Sequence, residues 1–456
     1  MSFDKIKELF LFDKYELNVY LIIENNKPIK GRLIINEKEI KLEVYNTPYD
    51  LKFNYDKLYC EYDNYNIELI NLSILEYSTS FYSETKDIVY NIEKFLFNEY
   101  SAQNEYKKIR IKSKDINTWV GFTKFQHELA NDIYKRAYDF TTGLFKNIKC
   151  NNFNFSIIYC KEVNQDIFNG ITTYKYLPYF ELNFQNNLKF KEVENIYFEL
   201  LDFFYLLLGF DLDVEQVVFE SEQNGHNKSY FYYKKDYELM KKDYIFISLA
   251  NDLFEQYRES LKLEILPNYF ELGDYKKTFF KAFRKYKMFH YTEDKFLGYF
   301  RILENLMFDK KEKFTEKMLD IYIYNITINE KEKQKEKQIL LEGNDKIEKT
   351  VDKPIIYRKE KIKFIIFHSK FINVLSGNYK LKVNFTDVEK IVKLRNDISH
   401  FNDYKIIQND LERYIDYLEF LVNYVLLRLI QYSDESFLNN ISFYPYKHRV
   451  FDFENN

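Results

Sequence analysis

The chain has 456 residues, 46% hydrophobic and 19% aromatic, which supplies core material for two or three domains and excludes extended disorder. Its formal charge of −4 excludes a uniformly basic nucleic-acid coat, though local basic patches are compatible with it. Cys60, Cys150 and Cys160 form no CxxC pair and have no histidines at zinc-ligand spacing, so reduced thiols are expected. With 10 Gly, 6 Pro, 43 Tyr and 44 Phe beside abundant Asn, Lys and Ile, the composition resembles that of an AT-rich genome. That bias lowers the weight of any single Tyr or Lys. The opening MSFDKIKELFLFDK carries neither a signal-peptide core nor a cleavage site. The longest strongly apolar run, Phe203 to Phe210, is too short to span a bilayer. A soluble, cytoplasmic protein with no membrane partner is expected.

From Tyr15 to Tyr45 apolar residues alternate at Leu17, Val19 and Leu21, then Leu33 and Ile35, then Ile40, Leu42 and Val44. Turn-forming Asn25, Asn26, Pro28 and Asn36 separate the runs, and the pattern predicts an antiparallel meander. Alternation returns at Phe153, Phe155, Ile157 and Tyr159, and again from Tyr174 through Phe184. VVFESEQ and KSYFYYKK flank Asn224 and Gly225 as a hairpin would. Helical patches are predicted over 124–147 and 192–209. Residues 1–245 therefore read as a strand-rich mixed domain.

After Tyr244 the period becomes three to four residues, through 246–263, 276–290, 293–308 and 410–431. Thr292, Glu293 and Asp294 supply a cap and first-turn acids for the 293–308 helix. The segment 329–349, NEKEKQKEKQILLEGNDKIEK, interleaves charges of both signs and reads as a solvated insertion or helix tip. The expected class is α+β, with the strand-rich part first and an all-α bundle over 246–456.

Within the bundle one stretch carries chemistry: Thr386–Phe401, TDVEKIVKLRNDISHF. Thr386 and Glu389 have capping-box spacing and predict a helix from about Asp387. Val388, Ile391, Val392, Arg395 and Ile398 share one face, which sets Arg395 in an apolar stripe. Burying an unpartnered guanidinium is costly, so Arg395 implies an adjacent anion or an opening onto a cleft. His400 follows five residues later. Five residues turn a helix through about 500°, so the two side chains project roughly 140° apart and converge within one chain only if the helix ends near His400.

Arg, four residues, then His, with Asn396 directly after the Arg, resembles the RxxxxH motif of HEPN domains, which are all-helical and often act as metal-independent ribonucleases. FLGYFRILENLMF, residues 296–308, holds Glu304 among apolar positions about ninety residues earlier. That order resembles the HEPN domain of ApeA-type bacterial anti-phage proteins. The likeness covers about 290–430, is only architectural over 1–245, and is broken by the charged insertion. It implies a sensor domain that detects a phage protein, followed by a nuclease that cuts host RNA, tRNA being favoured, and so aborts infection. It also implies a homodimer or higher homo-oligomer in which two motifs face each other as one composite site.

Cleaving RNA without a metal needs a base for the ribose 2′-hydroxyl proton, an acid for the leaving 5′-oxygen and a cation on the phosphorane. Imidazole titrates near neutrality and guanidinium binds phosphate oxygens bidentately, so His400 and Arg395 suit these roles. Asn396 would orient the phosphate or His400, or else sits on an exposed face. Glu304 and Asp397 read as structural support for Arg395, and simple local packing of both motif residues is the competing interpretation. Lys276, Lys277, Lys281, Arg284, Lys285 and Lys287 interleave with Phe279, Phe280 and Phe283, and a second basic run spans Tyr357 to Lys363. Lys281, Arg284, Lys285, Lys361 and Lys363 are candidate RNA contacts, against the commoner reading of a solvated basic face. His127, His226, His290, His368 and His448 read as structural. No Asp/Glu/His cluster has metal-ligand spacing, so neither metal nor cofactor is expected. The rival functions are a catalytically inactive HEPN module that binds RNA or a partner, and the toxin of a toxin–antitoxin pair.

Overall fold

The computed structural model describes residues 13–23, 27–36, 39–47, 51–79, 85–99, 105–120, 123–131, 143–166, 171–222, 227–234, 263–307, 316–325, 330–343, 353–375, 377, 379–441, 444 and 447–452. It is mixed α+β, with a strand-rich barrel region first and a helical region after it. The chain divides into two compact units. One is Met1–Leu201, Phe210–Lys241 and Ser248–Phe270; the other is Asp202–Gly209, Lys242–Ile247 and Glu271–Asn456. The boundary expected near 245, the helix expected over 246–263 and the hairpin turn with Asn224, Gly225 and His226 lie outside the described residues.

In the first unit, strands β1 (Tyr15–Ile22), β2 (Ile29–Ile35), β3 (Ile40–Thr47), β4 (Asn54–Tyr62), β5 (Tyr65–Thr79) and β6 (Lys86–Asn98) run antiparallel in the order β3-β2-β1-β4-β5-β6. A β3–β6 pairing, with Leu42 opposite Tyr90 and Val44 opposite Ile88, closes them into a six-stranded barrel. The period-two residues point inward: Leu17, Val19, Leu21, Leu33, Ile35, Ile40, Leu42 and Val44 are all buried, as are Leu58, Cys60, Ile67, Leu69 and Ile92. Gly31 on β2 suits this packing, since a Cβ there would lie 2.7 Å from Leu21 Cδ1 and 3.2 Å from the Glu43 carbonyl oxygen and would make the Leu21 side chain shift.

The far half of β6 continues into an open antiparallel sheet through β12 (Asn227–Tyr233), β11 (Val214–Ser221), β7 (Glu105–Ser113), β10 (Ile171–Lys189), β9 (Phe153–Asp166) and β8 (Gly143–Lys149). Helices α1 (Lys114–Val120) and α2 (Lys124–Asn131) lie against β10, and Trp119 meets Phe180 edge-on at 6.0 Å. The helix expected over 124–147 is corrected in part: Lys124–Asn131 is helical, 132–142 lie outside the described residues, and 143–149 is strand β8, paired with β9. Its seven residues begin with Gly and carry Phe145 and Ile148, so the open edge of β9 outcompetes a short helix. Helix α3 (Phe190–Leu208) follows β10, with Phe190 and Tyr197 packed on Phe231. Helix α4 (Ile265–Phe270) sets Phe270 against Phe153.

The second unit comprises α5 (Asp274–Lys287), α6 (Thr292–Met307), α7 (Glu316–Asn325), α8 (Glu330–Gly343), α9 (Lys353–Val374), α10 (Phe385–Ser399), α11 (Gln408–Leu429), α12 (Asp434–Asn440) and α13 (Lys447–Val450). A short ladder, β13 (Lys380–Leu381) with β14 (Phe451–Asp452), ties the end of the chain to the segment before α10. Every residue from Tyr414 to Tyr424 on α11 is buried, so α11 is the central helix and not the one-sided amphipathic element its spacing suggests. Phe296, Phe300 and Leu303 of α6, Ile362, Phe364 and Ile365 of α9, and Val388, Ile391 and Val392 of α10 complete the core. At about 1.5–3 kcal/mol for each large apolar side chain, this burial outweighs intrinsic helix propensity as the source of helical order. The charged insertion contains α8, whose Lys337 pairs with Asp320 of α7. No helix among the described residues is long and apolar enough to cross a membrane.

Candidate active site

Helix α10 carries the motif, and its start is fixed two residues before the expected one. Asn384 is the N-cap: its side chain accepts the Asp387 backbone N–H at 3.0 Å, and the Asp387 carboxylate accepts the Asn384 N–H at 3.1 Å. The Thr386–Glu389 box is therefore incorrect. Asn is the better capping residue, and Glu389 instead pairs with Lys361 of α9 at 2.8 Å. Asp387 is buried and also accepts from Tyr414 Oη at 2.9 Å, which ties α10 to α11.

Arg395 lies three turns along. Its Nη2 donates to Glu304 Oε1 at 2.6 Å, and its guanidinium stands 5.7 Å from the centre of the Phe300 ring. The side chains are 22% and 16% exposed, so this pair is only partly hydrated. The anion required by an arginine among apolar residues is thus Glu304, while Asp397 faces elsewhere and accepts from Asn402 Nδ2 at 3.4 Å. Phe300 went unnoticed in the sequence although Phe300 and Glu304 stand at i and i+4 on α6, the spacing that puts two side chains on one face.

The helix ends at Ser399, and His400 is its C-cap with φ −109° and ψ 9°. The stated condition for Arg395 and His400 of one chain to approach, an end to the helix at His400, is therefore met, so helical geometry alone does not demand a second chain. The His400 N–H bonds to the Asn396 and Asp397 carbonyls at 3.1 and 3.3 Å, and its imidazole is exposed. Asn396 is half-buried. Phe401, next in sequence, has φ +56° and is 97% exposed. It occupies the left-handed position after a helix where glycine is usual. Tyr404 then bonds to Glu293 at the start of α6, and Ile407, before α11, is 70% exposed. The motif thus ends with an exposed histidine followed directly by an exposed phenylalanine.

The basic candidates separate. Arg284 pairs with Asp202 at 2.9 Å, Lys361 with Glu389 at 2.8 Å, and Lys287 with buried Glu419 at 2.9 Å, so all three serve structural ion pairs. Lys281 and Lys285 are exposed, Lys285 reaching over Phe289 at 5.9 Å. Lys363 lines a cavity on α9. The side chains of 357–360 lie outside the described ones.

Two buried titratable groupings were not evident in the sequence. On α11, Glu419 accepts from Tyr299 at 3.0 Å and Tyr444 at 3.3 Å, and Asp416 pairs with Arg449 at 3.1 Å. Burial, aided by neighbouring Glu419, pushes the Asp416 carboxyl up to about 7. His368 is fully buried on α9 with Nδ1 2.5 Å from Tyr417 Oη, and burial lowers it to about 4. It is neutral at neutral pH and packs edge-on to Phe385, a structural role.

No family model, curated protein or solved structure matches the chain.

Proposed function

We propose that the second unit is a HEPN-type endoribonuclease in which Arg395 and His400 act on RNA, tRNA being the favoured substrate, with Asn396 as an orienting group. The observation that carries this reading is the end of α10: an exposed His400 five residues after a half-buried, acid-anchored Arg395, followed by Phe401 at 97% exposure in a left-handed conformation. Such a backbone costs a bulky residue about 1–2 kcal/mol, and at 97% exposure Phe401 gains little packing from the described residues to offset it. A second copy of the same surface would cover Phe401 and add a second imidazole, so that acid and base are separate groups.

In the reaction, one imidazole takes the proton of the 2′-hydroxyl as that oxygen attacks phosphorus. The bond from phosphorus to the 5′-oxygen breaks, and the second imidazole, as imidazolium, protonates the leaving oxygen. The guanidinium, held by Glu304, binds the phosphorane oxygens. The products are a 2′,3′-cyclic phosphate and a 5′-hydroxyl. The first unit, with its own barrel core, would sense a phage protein and release this activity, giving abortive infection.

A second reading, a catalytically inactive module that binds RNA or a partner, draws on the Arg395–Glu304 pair, because a neutralised guanidinium attracts phosphate less strongly. Purified protein incubated with tRNA in EDTA separates the two. Cleavage lost in both Arg395→Ala and His400→Ala supports the nuclease, and RNA retained intact in complex with the wild type supports the binding module.

A further inference from the structure

The helical unit holds a cavity of about 360 Å³ among α6, α7, α9 and α11, with neither Arg395, Asn396 nor His400 in its lining. Its volume falls within the roughly 300–1,000 Å³ of small-molecule sites. Three cations line it, Lys363, Lys370 and Arg428, and among the described residues no carboxylate does. The rest of the lining is apolar or aromatic, including Ile366, Phe367 and Tyr424. Helical spacing explains the arrangement. Lys363, Phe367 and Lys370 stand at i, i+4 and i+7 on α9, and Tyr424 and Arg428 at i and i+4 on α11, so each helix offers an aromatic ring with a cation one turn away.

The walls are held in place from behind. Phe367 lies nearly parallel to Phe371, 6.4 Å between centres, and Tyr424 packs on Phe371 at 5.0 Å. Asp434 accepts from Tyr424 Oη at 3.0 Å and stands 3.4 Å from Arg428 Nε, fixing both. Arg428 nonetheless keeps 48% exposure. Lys363 and Lys370 are two turns apart, about 10 Å along the axis, within reach of both ends of a phosphate chain.

We infer that this cavity binds a nucleoside polyphosphate, with the base against Phe367 and Tyr424 and the phosphates among Lys363, Lys370 and Arg428. A fatty-acid anion has the apolar body but a single charge, too few for a lining that carries Lys363, Lys370 and Arg428. Bare polyphosphate has the charge but nothing for the aromatic wall. Stacking of a base on an aromatic ring contributes about 1–3 kcal/mol, so ring and cations are both needed for measurable affinity.

The test is calorimetric titration of the full chain with ATP, GTP, CTP and UTP, with tripolyphosphate and laurate as comparison ligands. At least one nucleotide is expected to bind one site per chain below about 100 μM. Lys370→Glu with Arg428→Glu should weaken binding at least tenfold, Phe367→Ala severalfold, and Arg395→Ala not at all, which separates this site from the motif. Should the double variant misfold, exposed Lys370→Gln alone should weaken the nucleotide severalfold with an unchanged melting temperature. Three results would each overturn the inference: no nucleotide binding at about 1 mM, laurate binding in place of nucleotide, or nucleotide affinity that ignores the cavity variants or depends on Arg395.

Discussion

Glu304→Ala should be more damaging than its partner's removal, because it takes the carboxylate from a largely buried Arg395. The carboxylate is 2.6 Å from Nη2, and both side chains are more than three-quarters buried. A hydrogen bond between charged groups contributes about 1.5–3 kcal/mol, and the residual exposure argues for the lower half of that range. Glu304→Ala loses this bond and takes the carboxylate away from a guanidinium that is only 22% exposed, a cost of about 2–3 kcal/mol. Arg395→Ala, which leaves an acid that can turn to solvent, should cost about 1–2 kcal/mol. The double variant should be less destabilised than the sum of the two, giving a coupling energy of about 1.5 kcal/mol. Urea denaturation followed by far-UV ellipticity measures all four corners of the cycle. A coupling energy below about 0.5 kcal/mol, the value of an exposed surface pair, would refute the claim that Glu304 fixes the guanidinium.

Asn384→Ala should lower stability by about 1 kcal/mol, and Thr386→Ala by less than half of that, which a pair of chemical melts distinguishes. Phe401→Gly should raise the stability of the isolated chain by about 1 kcal/mol by relieving the left-handed backbone, while weakening self-association in sedimentation equilibrium. The two perturbed groups give opposite pH trends. His368, lowered to about 4 from an ordinary 6.5, takes up its proton more readily when unfolded, so its contribution is full above about 6.5 and falls as pH drops toward 4. Asp416, raised to about 7 from 3.8, holds its proton more tightly when folded, so its contribution falls as pH rises from about 4 to 7. Thermal melts from pH 4 to 8 should therefore show the deficit of His368→Phe relative to wild type growing with rising pH and that of Asp416→Asn growing with falling pH.

What could be read from the residues alone was whatever short-range periodicity controls. The inward residues of β1 to β3 alternate strictly because one face of each strand fills a barrel, and α6, α10 and α11 show helical spacing because they pack side by side. What could not be read depended on partners distant in the chain. Gly143–Lys149 is a strand because β9 offers it an edge. Arg284 and Lys287 look like a solvated basic face until Asp202 and Glu419, 82 and 132 positions away, claim them. The cap misplacement has a local cause: Asn384 and Thr386 both suit the role, and the choice was made by Asp387, whose buried carboxylate also answers Tyr414. The left-handed Phe401 left no trace in composition or spacing.

The most direct test of the nuclease assignment is end-mapping of RNA from bacterial cells that express the wild type, Arg395→Ala or His400→Ala during phage challenge. New 2′,3′-cyclic phosphate ends in tRNA with the wild type, absent with either variant, are the predicted result. The same ends with His400→Ala, or an unaltered RNA population with the wild type, would contradict it.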